Sequence, residues 1–358
     1  MAERPVYDGD IWWASERYGI EPEDFLDFSA SINPMGPSPE GLKAVRYMLG
    51  ELYRYPDPEC DRLKQALARY LRIGEENVII GNGSTELLYR ACKALRPGST
   101  LILAPSYSDY ARAATGAGSE VRYKLLDKRS GFQPDLEEIE KELFHHDLII
   151  VGNPNNPTGT LIDSEKLAPF IRSANRRQTN VIVDETFIDF VEGHSLARRA
   201  VSNRHLLVLR SFSAFFGAPG LRLGYGMGSA ELLARLDKIK QPWTVNVLAQ
   251  AYGEAALRDR RYMKRTGRLL ERERDFLFGA LSEMPWAKPY PSAANFILVE
   301  LTSGDRAPDV CDRLGQVGIL VRDCSSFEGL DDRFLRIAVM NHEDNLALLD
   351  QLQRVMAE

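Results

Sequence analysis

RSFSAFFGAPGLRLGY, residues 210–225, is the stretch on which the reading of this chain turns. It begins inside HLLVLRSF (205–212), a short apolar run of the kind that forms a buried strand. Ser211 stands near the end of that run, and past it come Ser213, a Phe-Phe-Gly and a Gly-Leu-Arg that brings in Arg222. Two hydroxyls and a guanidinium so close together suit a phosphate group, whose oxygens take charge-assisted hydrogen bonds from such donors. Between them, at the centre of the stretch, stands Ala214, a residue with no chemistry to offer.

Working outward, NVIIG (77–81), TLILA (100–104), DLIIVG (147–152) and NVIVDE (180–185) have the same character as 205–212. Each is short, rich in branched residues and bounded by Gly, Pro or Asp. Segments of helical period, such as TELLYRACKAL (85–95) and SEKLAPFIRSANRR (164–177), lie between them. The alternation predicts an α/β fold with a mostly parallel sheet and helices on both faces. A helical stretch from Val245 to Leu281 follows; then FILVEL (296–301), GILVRD (318–323) and FLRIAV (334–339) read as strands of a smaller α+β unit. The expected organisation is an N-terminal arm with part of the small domain over 1–45, a large domain over 46–245, a linking helix over 246–281 and a small C-terminal domain over 282–358.

Composition narrows the function classes. The chain has 358 residues, 44% of them hydrophobic, and a net charge of −6, which argues against a sequence-independent nucleic-acid surface. The basic run RDRRYMKRTGR (258–268) reads as a solvated helix face. Cys60, Cys92, Cys311 and Cys324 lack metal-ligand spacing, so reduced thiols in a cytoplasmic protein are expected, with no metal. The opening MAERPVYDGD is not a signal peptide, and no apolar run approaches the ~20 residues that span a bilayer.

Four further motifs follow strand ends, where α/β sheets present ligands. GNGSTELL (81–88) turns through Gly83 into a helix, offering backbone N–H groups with Ser84 and Thr85 at its positive end. PSYSDY (105–110) brings Tyr107 and Tyr110, able to stack on a flat ring. NPNNPTG (153–159) is too constrained for regular structure and holds a polar side chain, best Asn156. VIVDETFIDF (181–190) ends a buried strand on Asp184, a carboxylate that calls for a partner, such as a protonated ring nitrogen. Singly, the first two read more simply as an N-cap and a packed loop aromatic; a plain turn would not need so many constrained residues as NPNNPTG has, and an isolated Asp is commonly a helix N-cap or surface carboxylate.

Their joint order resembles the fold-type I pyridoxal-phosphate enzymes, the aspartate-aminotransferase-like superfamily, along nearly the whole chain. Within it the chain is most similar to the threonine-phosphate decarboxylases of the cobalamin pathway, close kin of the histidinol-phosphate aminotransferases. LDFSASINPMGP (26–37) resembles a decarboxylase opening usually written DFSANINPLG. YRYPDPECDRLKQALARYL (53–71) is similar in both groups, and QPWTVNVLAQAYGEAAL (241–257) resembles the decarboxylase pattern PWSVNxLA…GEVAL. Phe187 stands where most relatives that transfer amino groups carry tyrosine.

The resemblance implies roles. Asp184 would pair with the pyridinium nitrogen of pyridoxal phosphate, Asn156 with its ring hydroxyl, and Tyr110 would stack on the ring beside Phe187. Gly83, Ser84, Thr85, Ser211, Ser213 and Arg222 would hold the phosphate, with Tyr55 reaching across from a second subunit of a homodimer. Arg336 would hold the substrate carboxylate, and Asn33, Arg322 and Tyr7 would face the substrate. The implied reaction is decarboxylation of O-phospho-L-threonine to aminopropanol phosphate.

Two departures stand out. Ala214 occupies the position of the lysine that carries the cofactor as a Schiff base, and a methyl group does no acid-base work. A lysine-to-alanine replacement that severely impairs the enzyme is the favoured reading, because every other cofactor position is intact; a natural non-catalytic binder, or catalysis through another base, are the competing ones. In the decarboxylases a histidine of an HGG(N/D) motif meets the substrate phosphate, whereas YDGD (7–10) puts Tyr7 there. That leaves open another phosphorylated amino acid such as phosphoserine, or a histidinol-phosphate type of amino transfer.

Overall fold

The computed structural model describes residues 8–357. Seven strands form the larger sheet: β1 Val78–Gly81, β2 Ser99–Ala104, β3 Glu120–Leu125, β4 Leu148–Gly152, β5 Asn180–Asp184, β6 Leu206–Ser211 and β7 Gly224–Met227. Across the sheet they run β1-β7-β6-β5-β4-β2-β3. All pairings are parallel except those of β7, which is antiparallel to both β1 and β6. Strands β1 to β6 therefore all point one way, and the chain emerges from Gly81, Ala104, Gly152, Asp184 and Ser211 along one edge, where β7 begins at Gly224.

The branched runs form these strands because both faces are covered. Side chains alternate: Ile149, Val151, Val181, Val183 and Val208 enter one core beneath helices α1 (Asp61–Leu71), α4 (Ser164–Arg177) and α5 (Val247–Ala256). Ile79, Ile102, Ile150, Ile182 and Leu207 enter the other, beneath α2 (Ser84–Leu95) and α3 (Asp109–Gly116). Two strands carry no such signature. β3 (EVRYKL) lies at the sheet edge with mostly exposed side chains, and β7 (GYGM) is half glycine.

The helical stretch expected over 246–281 is two helices, α5 and α6 (Arg260–Ser282). The break falls where Asp259 caps α6, accepting from Tyr262 N at 3.0 Å, and also binds Ser38 Oγ at 2.8 Å. Beyond α6, strands β8 (Ala287–Pro289), β9 (Phe296–Leu301), β10 (Arg322–Asp323) and β11 (Phe334–Ala338) form an antiparallel sheet in the order β10-β11-β9-β8. GILVRD, expected as one strand, divides. Ile319 and Leu320 pair in parallel with Leu26 and Asp27 of the N-terminal arm, whereas Arg322 and Asp323 join β11.

Beneath the edge that carries the site lies a buried ion network. Arg210 of β6 is fully buried and pairs with Glu185 (Nε to Oε2, 3.0 Å) and Asp189 (Nη1 to Oδ1, 3.2 Å). Glu185 also accepts from Ser195 Oγ at 2.7 Å and Leu196 N at 2.6 Å. Removing the cation strands two buried carboxylates. Arg210→Met is expected to cost about 3–5 kcal/mol of stability, read as a lower midpoint of chemical denaturation.

Candidate active site

The candidate phosphate cup is assembled by close backbone approach. Gly83 turns the chain into α2 with φ +85°, and no side chain caps that helix, so its first N–H groups are left for an anion at the positive helix end. Gly224 pairs with Gly81 on one side and Ser211 on the other, and a Cβ on it would stand 2.1 Å from Ser84 N. Glycine at 224 is what allows Ser211 of β6 and the Gly83–Ser84 turn to meet. Arg222 leans over the same turn: a Cβ on Gly83 would lie 2.5 Å from its Nη2. Ser211 Oγ donates to Ser213 Oγ at 2.9 Å and accepts from Ser213 N at 3.1 Å. The cup expected from Gly83, Ser84, Thr85, Ser211, Ser213 and Arg222 thus comes together from three separate chain segments.

Asp184 ends β5 beside it. Its Oδ1 accepts from Thr186 N at 3.0 Å and Thr186 Oγ1 at 2.6 Å, and its Oδ2 from Tyr110 OH at 2.9 Å. Burial pushes this carboxyl above its ordinary value, and those three hydrogen bonds oppose the shift. Tyr110 is buried, and its phenol is raised well above its usual value, by burial first and by the Asp184 charge second. Its hydroxyl bond to Asp184 and the edge of Tyr107, with centroids 5.7 Å apart at 85°, orient its ring.

The NPNNPTG loop divides its asparagines by task. Asn153 clamps Ile162, donating to its carbonyl at 3.0 Å and accepting from its N–H at 2.8 Å. Asn155 binds Pro105 O at 2.8 Å and Thr158 Oγ1 at 2.9 Å. Asn156 is half-buried, and its Oδ1 accepts from Arg336 Nη1 at 2.6 Å.

Ala214 is buried against Phe187, Ala294 and Phe296, with the rings of Phe187 and Phe296 edge to face at 5.0 Å. Neither nearby lysine stands in for it. Lys240 is tied to Pro58 O at 2.6 Å and Glu59 Oε2 at 3.1 Å, and Lys238 is exposed after the helix Ala230–Asp237.

On the opposite wall, Arg322 of β10 and Arg336 of β11 are direct cross-strand partners. Arg336 is almost wholly buried; its Nη2 donates to Ser29 O and to Asp8 Oδ2, both at 2.6 Å, and its guanidinium lies 5.2 Å from the Phe296 ring centre. Arg322 Nε stands 3.1 Å from Asp8 Oδ1, and its Nη2 donates to Ser326 Oγ at 3.2 Å. Asp8, which the sequence reading passed over for its neighbour Tyr7, therefore bridges both arginines. Tyr7 itself lies outside the described residues.

Asn33 requires a correction. It is buried, and its Nδ2 lies 2.8 Å from each of Phe215 O, Tyr262 OH and Thr266 Oγ1, while its N–H donates to Ala214 O at 2.9 Å. Its amide is spent inside the protein and does not face a substrate; it braces the segment around Ala214. The sequence reading passed over Ser31, whose buried Oγ has no hydrogen-bond partner among the described residues. The signal was available, because Ser31 stands at the first asparagine of the pattern DFSANINPLG. Tyr55, expected to serve a neighbouring subunit, is 81% exposed, with its ring 4.9 Å from that of Trp243. A cleft of about 850 Å³ bordered by Tyr70, Asp189 and Phe215 opens elsewhere and shares no residue with this constellation.

A family model described as aminotransferase class I and II matches residues 23–352. The chain belongs to that family. Members of the aminotransferase class I and II family are pyridoxal-phosphate enzymes, and the uncapped helix start with its serines and Arg222, the half-buried Asp184 carboxylate and the half-buried Asn156 amide are groups that would suit that cofactor's phosphate, ring nitrogen and ring hydroxyl. The chain is similar to the threonine-phosphate decarboxylase of Salmonella typhimurium, 35% identical over 98% of this chain and 96% of that protein. It is also similar to the histidinol-phosphate aminotransferase of Methanocaldococcus jannaschii, 30% identical over 95% of this chain and 91% of that protein. Among solved structures, histidinol-phosphate aminotransferase from Sinorhizobium meliloti in complex with pyridoxal 5'-phosphate superposes with a TM-score of 0.87, covering 99% of this chain and 96% of that one at 23% identity. The fold is accordingly aspartate-aminotransferase-like, with a mostly parallel central sheet.

Proposed function

We propose that this site is built to decarboxylate O-phospho-L-threonine to aminopropanol phosphate, a step of cobalamin biosynthesis, and that with alanine at 214 it holds cofactor and substrate without effective turnover. The observation that carries the proposal is the pairing of Arg322 with Arg336 on neighbouring strands, within reach of Asn156. Two adjacent guanidiniums suit an amino acid that bears both a carboxylate and a phosphate. Phe187 supports a lyase over amino transfer: it packs on Phe296 beside Ala214 and offers no hydroxyl where most relatives that transfer amino groups carry tyrosine.

Pyridoxal phosphate, when bound, supplies the electron sink that accepts the pair left on Cα as CO₂ departs. The chain's own residues do the rest. Asp184 keeps a proton on the ring nitrogen by favouring its charged form. Tyr110, locked by its bond to Asp184, would hold the cofactor ring by stacking. Arg336 holds the carboxylate and Arg322 the phosphate, fixing which bond of Cα is broken. Ala214 cannot move a proton at Cα, which is where the reaction stalls.

A cytoplasmic homodimer with shared sites completes the reading. Tyr47, Leu52, Tyr53 and Tyr55 form an exposed row, 59% to 84% accessible, of the kind that a partner subunit covers. No helix among the described residues is long and apolar enough to cross a membrane.

The test is product analysis of the Ala214→Lys protein loaded with pyridoxal phosphate. CO₂ and aminopropanol phosphate from O-phospho-L-threonine, with no oxo-acid required, are the expected result. Release from O-phospho-L-serine alone would move the substrate. Amino transfer between histidinol phosphate and 2-oxoglutarate would replace the lyase reading, and cofactor binding without any turnover would make the chain a binding protein.

A further inference from the structure

We infer that Asp8 is an internal plug: its carboxylate sits in the anion seat of Arg322 and Arg336, and an anionic ligand gains the seat by displacing it. The inference rests on the reading of these two arginines as substrate ligands.

The seat needs an anion. Arg322 and Arg336 stand directly across from each other on paired strands, an arrangement that repels unless a negative charge lies between them. Arg336 is 1% exposed, and a guanidinium so buried is costly without a charged partner. Asp8 meets both demands with one carboxylate, placing Oδ2 2.6 Å from Arg336 Nη2 and Oδ1 3.1 Å from Arg322 Nε. A bridging carboxylate is the geometry that an amino-acid carboxylate or a phosphate would adopt on the same pair.

The seat cannot hold both. Asp8 already places one negative charge between the two arginines, so a ligand bringing a carboxylate and a phosphate meets like charge in the seat while Asp8 remains. Like charges at contact distance in a half-buried site exclude one another.

The chain around Asp8 is built for release. Gly9 follows it at φ +70°, and its N–H donates to Ser29 Oγ at 3.0 Å. Asp10 then caps the helix Ile11–Tyr18 by accepting from Trp13 N at 3.1 Å. That helix is fastened to Asp312 of the small unit through Arg17 Nη2 at 2.7 Å and Tyr18 OH at 3.2 Å. Asp8 is therefore joined through a glycine to the start of an anchored helix. Moving it out of the seat breaks its two arginine contacts and leaves the cap and the helix in place.

A carboxylate tethered this closely competes at an effective concentration in the millimolar range. Neutralising it should therefore tighten anion binding about tenfold or more. The experiment uses the full chain loaded with pyridoxal phosphate, so that the phosphate cup is filled, and follows inorganic phosphate and O-phospho-L-threonine by calorimetry. Asp8→Asn keeps the shape and removes the charge, and Asp8→Ala guards against a hydrogen bond from the new amide. Both variants are expected to bind both probes about tenfold tighter or better. A merely structural contact would move affinity the other way or not at all, so unchanged or weaker binding overturns the plug. If phosphate tightens but O-phospho-L-threonine binds neither form, the plug stands and the substrate reading falls. If neither probe binds any form, the arginine pair is not an anion seat and the inference is overturned.

Discussion

Ala214→Lys is expected to raise the rate of CO₂ release from O-phospho-L-threonine by on the order of 10³–10⁴-fold or more, the scale of a positioned acid-base group with covalent attachment added. The surroundings are already suited to it. The alanine lies at the end of the Ser211–Ser213 turn, walled by Phe187 and Phe296, and its backbone is held by Asn33. A lysine amine surrounded by apolar rings is deprotonated more readily, which makes it a better nucleophile and base. Two measurements separate the components. Visible absorbance of the loaded protein reports whether the new lysine takes the cofactor aldehyde, and product release reports whether it then moves a proton. A lysine protein that carries the cofactor yet gains no rate on any amino acid would show that turnover was lost elsewhere, with Ser31 and Asp8 the first places to look.

Asp184→Asn in that lysine-bearing protein is the second large effect, with kcat expected to fall about 10²–10³-fold, the size seen when one preorganised electrostatic partner is removed. Asparagine keeps the volume and can still accept from Thr186, so the site's shape survives and only the charge is lost. KM should change much less, because the arginine wall is untouched. A comparable fall in cofactor affinity with kcat intact would assign Asp184 to holding the cofactor and not to the chemistry. The stability of the empty protein should move the other way. The folded-state pKa of Asp184 is raised, so the native chain binds that proton more tightly than the unfolded one does. Its contribution is fully present below the ordinary carboxylate value and is lost as pH rises through the raised one. At pH 7 without cofactor the carboxylate is a burden, and Asp184→Asn should unfold no earlier than its parent in thermal denaturation. A site residue that costs stability when empty is the expected signature of a group placed for its ligand.

Features encoded by adjacent residues are the ones legible before folding. The buried runs at 78–81, 99–104, 148–152, 180–184 and 206–211 are legible because a strand covered on both faces needs an unbroken apolar string. The Gly83 turn, the Asn156 loop and Asp184 at a strand end are legible for the same local reason, since each follows directly from such a string. Tertiary structure alone decided what depends on partners distant in the chain. β3 is polar because it lies at an edge, and β7 is glycine-rich because Ser84 presses on Gly224 and the neighbouring strands' Ile79 and Leu209 on Gly226; neither has a pattern of its own. GILVRD splits because its two halves pair with Leu26–Asp27 and with β11, about 290 residues apart in one case and about a dozen in the other. Asn33 and Ser31 lie two residues apart in one motif, and burial shows which amide is spent and which hydroxyl is left over. Asp8 is the extreme case. In sequence it is an ordinary acid near the start of the chain, and only folding carries it across more than three hundred residues to close on Arg322 and Arg336. Hydrogen-bond partners and buried charge are properties of what folding brings together, so they become visible only when it has done so.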